Sequence, residues 1–186
     1  MSDLILVTGP PASGKTTLAE HLGHELSIPT IHKDGVKESL FDTLGAGDSD
    51  MAKRLGLASI ELLYHLIERH LTAKAPLIVE NNFQKQWAAD RVGQLREDYR
   101  CRILEVYCTA DANVLAERYR TREDSPDRHD GHRWGADPAN ADSWAAIYPP
   151  LGTVDATIRV DTTNIEAVSY EDITREVRRW LEGLTG

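Results

Sequence analysis

The chain has 186 residues, of which 41% are hydrophobic and 27% are charged, and its formal net charge is −9. This length and composition are ordinary for a soluble globular protein and suit one domain with a sizeable core. The acidic balance argues against a protein held on nucleic acid by bulk charge, although a local basic groove is compatible with it.

The two cysteines, Cys101 and Cys108, lie in one apolar stretch. Their odd separation places them on opposite faces if that stretch is a strand. We interpret them as buried thiols in a reducing compartment, and not as a disulfide or a metal site. The N-terminus lacks a signal-peptide pattern, and no apolar run reaches the roughly 18 residues of a membrane span. We therefore expect a cytoplasmic protein without a membrane segment.

The first half of the chain alternates apolar runs with helical patterns. The predicted order is strand, helix, strand, helix, helix, over LILVTG, GKTTLAEHLGHEL, PTIHKD, GVKESLFDTL and DMAKRLGLASIELLYHLIERHLTAK. In the first helix, Leu18, Leu22 and Leu26 recur every four residues, which indicates one buried face. Pro76 ends the long helix.

The second half continues the alternation. The predicted order is strand, helix, strand, helix, strand, helix, over PLIVENNF, KQWAADRVGQLREDY, CRILEVYCT, DANVLAERYRTR, DATIRVDTT and YEDITREVRRWLEGL. Asp111 is expected to cap the fourth of these segments, and Ser169 with Asp172 the last. This pattern predicts an α/β fold with a parallel sheet of about five strands and helices on both faces.

One stretch breaks the pattern. Residues 122–150 are rich in Pro, Gly, Asp, Arg and His, and a loop of that length within a compact domain is usually functional. We expect residues 1–186 to form a single domain, with a lid at about residues 118–150.

The segment GPPASGKTT satisfies the spacing G-x-x-x-x-G-K-[ST] between an apolar strand and a helix. In such a phosphate loop the glycines let backbone N–H groups surround the β-phosphate, and the helix N-terminus adds partial positive charge. Lys15 can reach the β- and γ-phosphates, and the Thr16 hydroxyl can ligate Mg²⁺. The predicted nucleotide-binding residues are Gly9, Pro10, Pro11, Ala12, Ser13, Gly14, Lys15, Thr16 and Thr17.

The motif TGPPASGKTTLA, followed by IHKDGVKESL, LIVENNF, ERYRTREDSPDRHDGH and IRVDTT, resembles the small P-loop kinases. The grouping includes chloramphenicol phosphotransferase-like, zeta-toxin-like and gluconate-kinase-like proteins, together with chains called AAA family ATPases. The resemblance covers nearly the whole chain. It implies a P-loop NTPase fold with an Arg-rich lid, ATP and Mg²⁺ as ligands, and phosphoryl transfer to an acceptor.

In such kinases the residue after the second strand is often an acid that faces the acceptor hydroxyl, and Asp34 occupies that position. The resemblance implies that Asp34 orients the hydroxyl and accepts its proton. The alternative is that Asp34 caps the following helix. Lys37, nearly one turn further on, is a candidate for substrate or phosphate contact, or else a solvated lysine.

Glu80, Asn81 and Asn82 follow the third predicted strand and are candidates for substrate binding. Glu80 reaches the ligand-binding edge of the sheet, where it can hold a magnesium-bound water or a polar group of the substrate. Consecutive amides suit hydroxyls or sugar oxygens. The alternative for both asparagines is turn formation. The predicted pocket wall comes from residues 37–70, 82–91 and 128–148.

Arg118 and Arg122 lie four residues apart on one helical face. Similar kinases carry lid arginines here, which implies that both bind phosphate oxygens and take part in catalysis. Arg120 projects elsewhere, and Arg128 is a further candidate for substrate contact. The alternative is a solvated, charged helix end.

His129 and His132 lie in the same stretch, and we expect them to contact substrate or to hydrogen-bond within the lid. Their spacing matches no usual metal set. Trp87, Trp134, Trp144 and Tyr148 are the aromatic residues that we place nearest an acceptor pocket, with packing as the commoner alternative. Thr162 follows the fifth strand, where the fold brings the loop close to adenine.

These residues favour an ATP-dependent kinase that acts on a hydroxyl of a small molecule, such as an antibiotic, a sugar or a nucleoside. A nucleotide-dependent ATPase or switch is the alternative, although the chain has no apolar strand ending in Asp-Glu and no second helical domain. A polynucleotide 5′-end acceptor is disfavoured by the acidic charge. A nucleoside monophosphate is a further possible acceptor, although the arginine spacing gives no clear second phosphate site. The sequence leaves the acceptor, the preference for ATP or GTP and the oligomeric state open.

Overall fold

The computed structural model describes residues 2–45, 48–126, 128–132 and 137–183. Its strands are β1 (Asp3–Thr8), β2 (Thr30–His32), β3 (Leu77–Glu80), β4 (Arg102–Thr109) and β5 (Ala156–Asp161). Its helices are α1 (Lys15–Leu26), α2 (Lys33–Leu44), α3 (Ser49–Thr72), α4 (Lys85–Tyr99), α5 (Ala112–Glu123), α6 (Ala141–Ile147) and α7 (Tyr170–Leu181).

The five strands form one sheet in the order β2-β3-β1-β4-β5. Every neighbouring pair is parallel. The chain therefore fills one side of β1 with β2 and β3 and then crosses to the other side for β4 and β5. Such a reversal opens a crevice at the carboxyl end of the central strand. The predicted α/β fold with a five-stranded parallel sheet is confirmed.

Helices cover both faces of the sheet, because alternate residues of the buried strands point to opposite sides. On one face, Leu4 and Leu6 of β1 belong to an apolar cluster with residues of α3 and α4. On the other face, Ile5 and Val7 belong to a cluster with residues of α1 and α7. Two layers of helices thus bury residues 4–8 of β1, and the carboxyl end of this strand is held in a fixed position.

The two cysteines lie on opposite sides of the sheet, as predicted, and both are buried free thiols. Cys101 belongs to the cluster with α3 and α4, and Cys108 to the cluster with α1 and α7. Burial raises the pKa of Cys108 to about 12. A thiol of that pKa stays protonated and unreactive at neutral pH.

Two helix starts are capped by side chains. The Asp48 carboxylate accepts the N–H groups of Asp50 and Met51 at 3.1 and 2.9 Å. Ser169 accepts the Asp172 N–H at 3.2 Å, which confirms the predicted capping pair. Asp111 lies at the N-cap position of α5, but its side chain makes no capping hydrogen bond, so that prediction is wrong. No helix in the described part of the chain is long and apolar enough to cross a membrane.

The described residues of the stretch 122–150, which are 122–126, 128–132 and 137–150, contain more regular structure than their composition predicts. They include two short 3-10 turns, Asp130–His132 and Pro138–Asn140, followed by α6. Trp144 of α6 is 2% exposed, and its ring lies 5.4 Å from that of Tyr119 on α5. This packing anchors the stretch to α5 and places Trp144 in the core, where it does not line an acceptor pocket.

Glu105 lies in the middle of β4 and is fully buried. Its carboxylate accepts hydrogen bonds from the Thr8 hydroxyl at 2.7 Å and from the Leu151 N–H at 3.1 Å. Burial raises the pKa of Glu105, against the effect of these hydrogen bonds. The carboxylate thereby ties the chain that follows α6 to the centre of the sheet.

We expect Glu105→Ala to lower the free energy of unfolding by about 2–4 kcal/mol, because the Thr8 hydroxyl and the Leu151 N–H lose their buried acceptor. Urea unfolding measures the change. Glu97→Ala, at an exposed position of α4, is the matched control and is expected to stay within about 0.5 kcal/mol of the wild type. Equal losses in the two variants would contradict this account.

Candidate active site

The predicted phosphate loop, residues 9–17, connects β1 to the first turn of α1. Gly9 has φ 131°, and a Cβ there would collide with the carbonyl oxygen of Cys108. Ala12 and Gly14 also have positive φ, at 61° and 78°. Left-handed residues turn successive N–H groups inward, and the first N–H groups of a helix have no partner within the helix. The loop therefore forms a concavity suited to an anion.

Lys15 is only 5% exposed, and its Nζ donates a hydrogen bond to the Pro10 carbonyl at 2.7 Å. Burial lowers the pKa of Lys15, although the Glu80 and Asp34 carboxylates oppose this shift. The ammonium is thus held over the loop from which it can reach a bound phosphate.

A cavity of about 530 Å³ lies above the loop at the carboxyl edge of the sheet, and we call it the phosphate-loop cavity. Its lining combines cations and carboxylates from segments far apart in the sequence. The residues are Ala12, Gly14, Lys15, Thr16, Thr17, Glu20, His32, Asp34, Gly35, Glu38, Glu80, Arg118, Arg122, Arg128 and His132. Some residues predicted to form the site are not part of this lining, namely Gly9, Pro10, Pro11, Ser13, Lys37, Asn81, Asn82, His129 and Thr162.

Asp34 lies in the first turn of α2, which begins at Lys33 with His32 as its N-cap. The alternative that Asp34 caps this helix is therefore wrong. Burial of the carboxylate is outweighed by Lys33, whose Nζ lies 3.2 Å away, and by His132 and Lys15, so that the pKa of Asp34 lies below its usual range. At neutral pH Asp34 is ionised and can only accept hydrogen bonds.

Glu80 and His32 form a pair beside the loop that the sequence analysis did not find. They are neighbours in the register of β2 and β3, and His32 Nδ1 lies 3.5 Å from Glu80 Oε2. The Glu80 carboxylate raises the pKa of His32, against the effect of burial. Glu20, on α1, lies 4.0 Å from the other ring nitrogen. The position of His32 at a strand end was the available signal, because parallel strands end at one edge.

Arg118 and Arg122 of α5 both reach the phosphate-loop cavity, as their spacing predicts. Arg118 donates to the carbonyl oxygens of Thr162 and Thr163 at 2.8 and 3.3 Å. The Thr162 hydroxyl lies 3.1 Å from the Ser13 carbonyl oxygen, so it supports the loop from behind. Arg118 and Thr162 thus join α5, the end of β5 and the loop. Contact between Thr162 and a nucleotide stays a prediction.

The Arg122 side chain has fewer polar partners among the described residues than the side chains of Arg118 and Arg128. Its guanidinium lies 5.3 Å from the centre of the Tyr119 ring, and none of the carboxylates in the described residues pairs with it. Arg128 Nη2, in contrast, lies 2.6 Å from Glu123 Oε1. Arg120 lines a separate surface hollow and not the phosphate-loop cavity, as predicted. Arg122 is therefore the arginine best placed to bind an incoming phosphate.

The turn at residues 128–132 is joined to α2 by two histidine–carboxylate contacts. His129 Nδ1 accepts the Gly131 N–H at 3.0 Å, so the ring proton is on Nε2, which donates to Asp42 at 3.0 Å. His132 Nε2 lies 2.7 Å from Glu38 Oε1. We find no metal-binding group of three or more His, Cys, Asp or Glu in residues 2–45, 48–126, 128–132 and 137–183. Trp134, which the sequence places near an acceptor pocket, lies outside the described residues.

The burial of His132 predicts a pH effect on stability. Burial lowers the pKa of His132, although Asp34 and Glu38 oppose this shift and Arg128 adds to it. The folded protein therefore binds this proton less readily than the unfolded chain. The contribution of His132 to stability is present above the pKa of an unfolded histidine and is lost as the pH falls.

As the pH falls from about 7.5 to 5.5, the range in which an ordinary histidine titrates, the free energy of unfolding of the wild type is expected to decrease. We expect a smaller decrease for His132→Gln, which lacks the titrating group. Urea unfolding at a series of pH values measures this difference. His65→Gln, at an exposed position of α3, is the control and is expected to match the wild type. A His132→Gln curve parallel to the wild-type curve would refute the assignment.

A second cavity, of about 600 Å³, lies between α3 and α4, and we call it the α3–α4 cavity. It is lined by Lys33, Leu57, Ile60, Glu61, Tyr64, Asn81, Asn82, Phe83, Gln84, Trp87, Ala88, Arg91 and Tyr148. Asn81, Asn82, Trp87 and Tyr148 thus meet at this cavity. The Asn81 side chain accepts the Asn82 N–H at 2.8 Å, as the turn alternative predicts.

Lys37 lines neither cavity. Its Nζ lies 5.4 Å from the centre of the Phe41 ring, and burial lowers its pKa. The Lys37 side chain thus extends along α2 toward Phe41, four residues further on. A role for Lys37 in substrate contact therefore stays a prediction without support from its position.

A strand, a glycine-rich loop and a helix N-terminus at the centre of a parallel sheet define the P-loop class of nucleotide-binding proteins. Residues 4–139 match the family described as the AAA domain, and the chain belongs to this family. No curated protein matches the chain.

Solved structures extend this assignment to the whole chain. A "putative kinase" from Chloroflexus aurantiacus is 34% identical with a TM-score of 0.87, over 96% of this chain and 97% of that chain. A gluconokinase from Sinorhizobium meliloti is 22% identical with a TM-score of 0.55, over 98% and 95%. Shikimate kinase from Acinetobacter baumannii, in complex with shikimate, is 17% identical with a TM-score of 0.59, over 98% and 94%. The predicted small P-loop kinase fold is confirmed.

Proposed function

We propose that this protein transfers the γ-phosphoryl group of ATP to a hydroxyl group of a small molecule. The observation that carries the proposal is that the Asp34 carboxylate shares a cavity with Lys15 and Thr16 of the phosphate loop. An ionised carboxylate outside the loop supplies what phosphoryl transfer to an alcohol needs, namely an acceptor for the hydroxyl proton.

The loop residues fit ATP and Mg²⁺. The buried Ser13 hydroxyl has no hydrogen-bond partner among the described residues, so it can donate to an acceptor-rich ligand in the loop. Lys15 and the loop N–H groups would hold the β- and γ-phosphates, and the Thr16 hydroxyl would hold Mg²⁺. Bound Mg²⁺ neutralises charge on the phosphate oxygens.

The proposed reaction balances with these groups. The acceptor oxygen forms a bond to the γ-phosphorus, and the bond from that phosphorus to the β–γ bridging oxygen breaks, with its electron pair staying on ADP. Asp34 takes the hydroxyl proton and returns it to solvent. Arg122 binds the oxygens of the transferring group, and Arg118 holds α5 in position for that contact.

The fold neighbours and the charge support a small acceptor. The similar structures are named for gluconate, shikimate and sugars, and each shares the fold of this chain. The net charge of −9 disfavours a polynucleotide end as the acceptor, because the phosphates of a nucleic acid are bound by basic surfaces.

The proposal is tested by incubating the protein with MgATP and a panel of small alcohols and searching the products by mass spectrometry. The expected product is heavier than its alcohol by one HPO₃ unit and is absent with Lys15→Ala. Steady ATP hydrolysis that requires Lys15 and is unaffected by every alcohol would refute the kinase proposal. It would support the alternative, a nucleotide-dependent ATPase or switch.

A further inference from the structure

We propose that the acceptor is an uncharged alcohol with an apolar ring, and that the α3–α4 cavity binds it. This inference rests on the proposed kinase function and names its substrate class. It follows from the position of the cavity, the character of its walls and the pairing of its charges.

The α3–α4 cavity adjoins the phosphate-loop cavity. Lys33 lines the former, and its Nζ lies 3.2 Å from Oδ1 of Asp34, a residue that lines the latter. Glu80 and Asn81 are consecutive residues that line the two cavities separately. A molecule in the α3–α4 cavity can therefore direct a hydroxyl past Lys33 to Asp34.

The walls of the α3–α4 cavity are largely apolar and aromatic. Trp87 is 76% exposed and Leu57 is 66% exposed, although both are large hydrophobic side chains. Ile60, Tyr64 and Tyr148 contribute further apolar surface. Exposed aromatic and aliphatic groups at a cavity of about 600 Å³ are typical of a small-molecule site.

The charges of the α3–α4 cavity are already paired. Arg91 makes two hydrogen bonds to the Glu61 carboxylate, at 2.7 and 2.9 Å, and its guanidinium lies 3.7 Å from the centre of the Tyr64 ring. Lys33 is paired with Asp34. Among the described residues that line this cavity, no cation is left for a carboxylate or phosphate of the acceptor. An anionic acceptor would therefore lose its hydration without gaining an ion pair.

The polar groups of the α3–α4 cavity suit a neutral ligand. Asn82 and Gln84 carry amide side chains at the end nearest β3, and the Asn81 amide keeps its N–H₂ donors because only its oxygen holds the Asn82 N–H. Amides donate to and accept from hydroxyls without requiring a charge. The cavity thus combines an apolar wall with a neutral hydrogen-bonding end.

Binding without nucleotide is the first test, since it does not depend on phosphoryl transfer. The probes are p-methylbenzyl alcohol and its anionic counterpart p-(hydroxymethyl)benzoate, with glycerol as an alcohol without a ring, and ligand-observed NMR gives each Kd. We expect the neutral ring alcohol to bind at least about tenfold more tightly than either other probe, since only it buries apolar surface without an unpaired charge. Absence of saturable binding by it, or tighter binding of the benzoate, overturns the inference.

Variants locate the site. Trp87→Ala and Leu57→Ala are expected to raise the Kd of the neutral alcohol by about threefold to tenfold, because apolar contact is lost. Leu62→Ala is the matched control, since Leu62 is exposed on the same helix as Leu57 but does not line the cavity. Glu61→Gln frees Arg91 and is expected to tighten binding of the benzoate. Unchanged affinities in all of these variants would place the ligand elsewhere and overturn the inference.

The same probes separate the two proposals. Binding that depends on Trp87, without phosphorylation of any alcohol by MgATP, would keep the assigned cavity and refute the proposed transfer. Phosphorylation of glycerol or of the benzoate in preference to the neutral ring alcohol would keep the kinase and refute the substrate class.

Discussion

Replacing Asp34 by asparagine is expected to lower kcat for phosphoryl transfer by about 10²- to 10⁴-fold, the usual contribution of a positioned general base. The amide keeps the size of the side chain but cannot accept the hydroxyl proton. The Kd of MgATP is expected to change little, because in the proposed function Lys15 and the loop amides, and not Asp34, hold the phosphates. Initial rates and equilibrium binding of nucleotide measure the two effects separately.

A structural role for Asp34 makes a different prediction. If Asp34 served only to neutralise Lys33, then Lys33→Met would restore activity to Asp34→Asn, since the double variant contains no unpaired charge. We expect no such rescue. Asp50→Asn, an exposed acid in the first turn of α3, is the control and is expected to keep full activity. Full activity of Asp34→Asn would remove Asp34 from the reaction.

The pH profile gives an independent readout of the same group. The Lys33 ammonium and the His132 ring lower the pKa of Asp34 and outweigh its burial. The active, ionised form is therefore present throughout the neutral range, and the acidic limb of kcat/KM is expected below the usual titration range of an aspartate. Lys33→Met removes an opposite charge and is expected to move that limb to higher pH.

Much of the phosphate site could be predicted because its determinants are local. The motif spacing fixes the relative positions of Gly9, Gly14, Lys15 and Thr16, which lie in one loop and the first turn of α1. Glu80 was found because it ends a buried strand, and Asp34 because the resemblance places an acid just after the second strand. The carboxyl ends of parallel strands meet at one edge of the sheet. These two residues lie 46 positions apart in the chain and still line one cavity.

The remaining features depend on packing between distant elements. Glu38 meets His132 across 94 positions, and no local pattern in α2 marks Glu38 as a partner. The contact between His32 and Glu80 depends on the register of β2 and β3, which places the two residues side by side. Helix α6 was missed because its apolar face consists of Ala141 and Trp144 within a polar, Pro- and Gly-rich stretch. The pairing of Arg91 with Glu61 likewise required the docking of α4 against α3.

The second large effect is expected at Arg122. Arg122→Ala is expected to lower kcat by at least about 10²-fold, because a guanidinium that stabilises a transferring phosphoryl group contributes on this scale or more. Arg122→Lys is expected to recover only part of this loss, since an ammonium keeps the charge but cannot bind two oxygens in one plane. Steady-state rates at saturating MgATP and acceptor measure both.

Variants of Arg118 and Arg120, on the same helix as Arg122, distinguish the effect of positive charge from the effect of anchoring α5. Arg118→Ala loses the hydrogen bonds to Thr162 and Thr163, so it is expected to raise the KM for MgATP and to lower Tm by detaching α5 from the end of β5. Arg120→Ala removes a cation that faces another hollow and is expected to leave kcat unchanged. If α5 contributed only general positive charge to the cavity, Arg120→Ala and Arg122→Ala would lose similar fractions of kcat. A loss confined to Arg122 requires direct contact with the transferring group, because the two variants change the net charge of α5 equally.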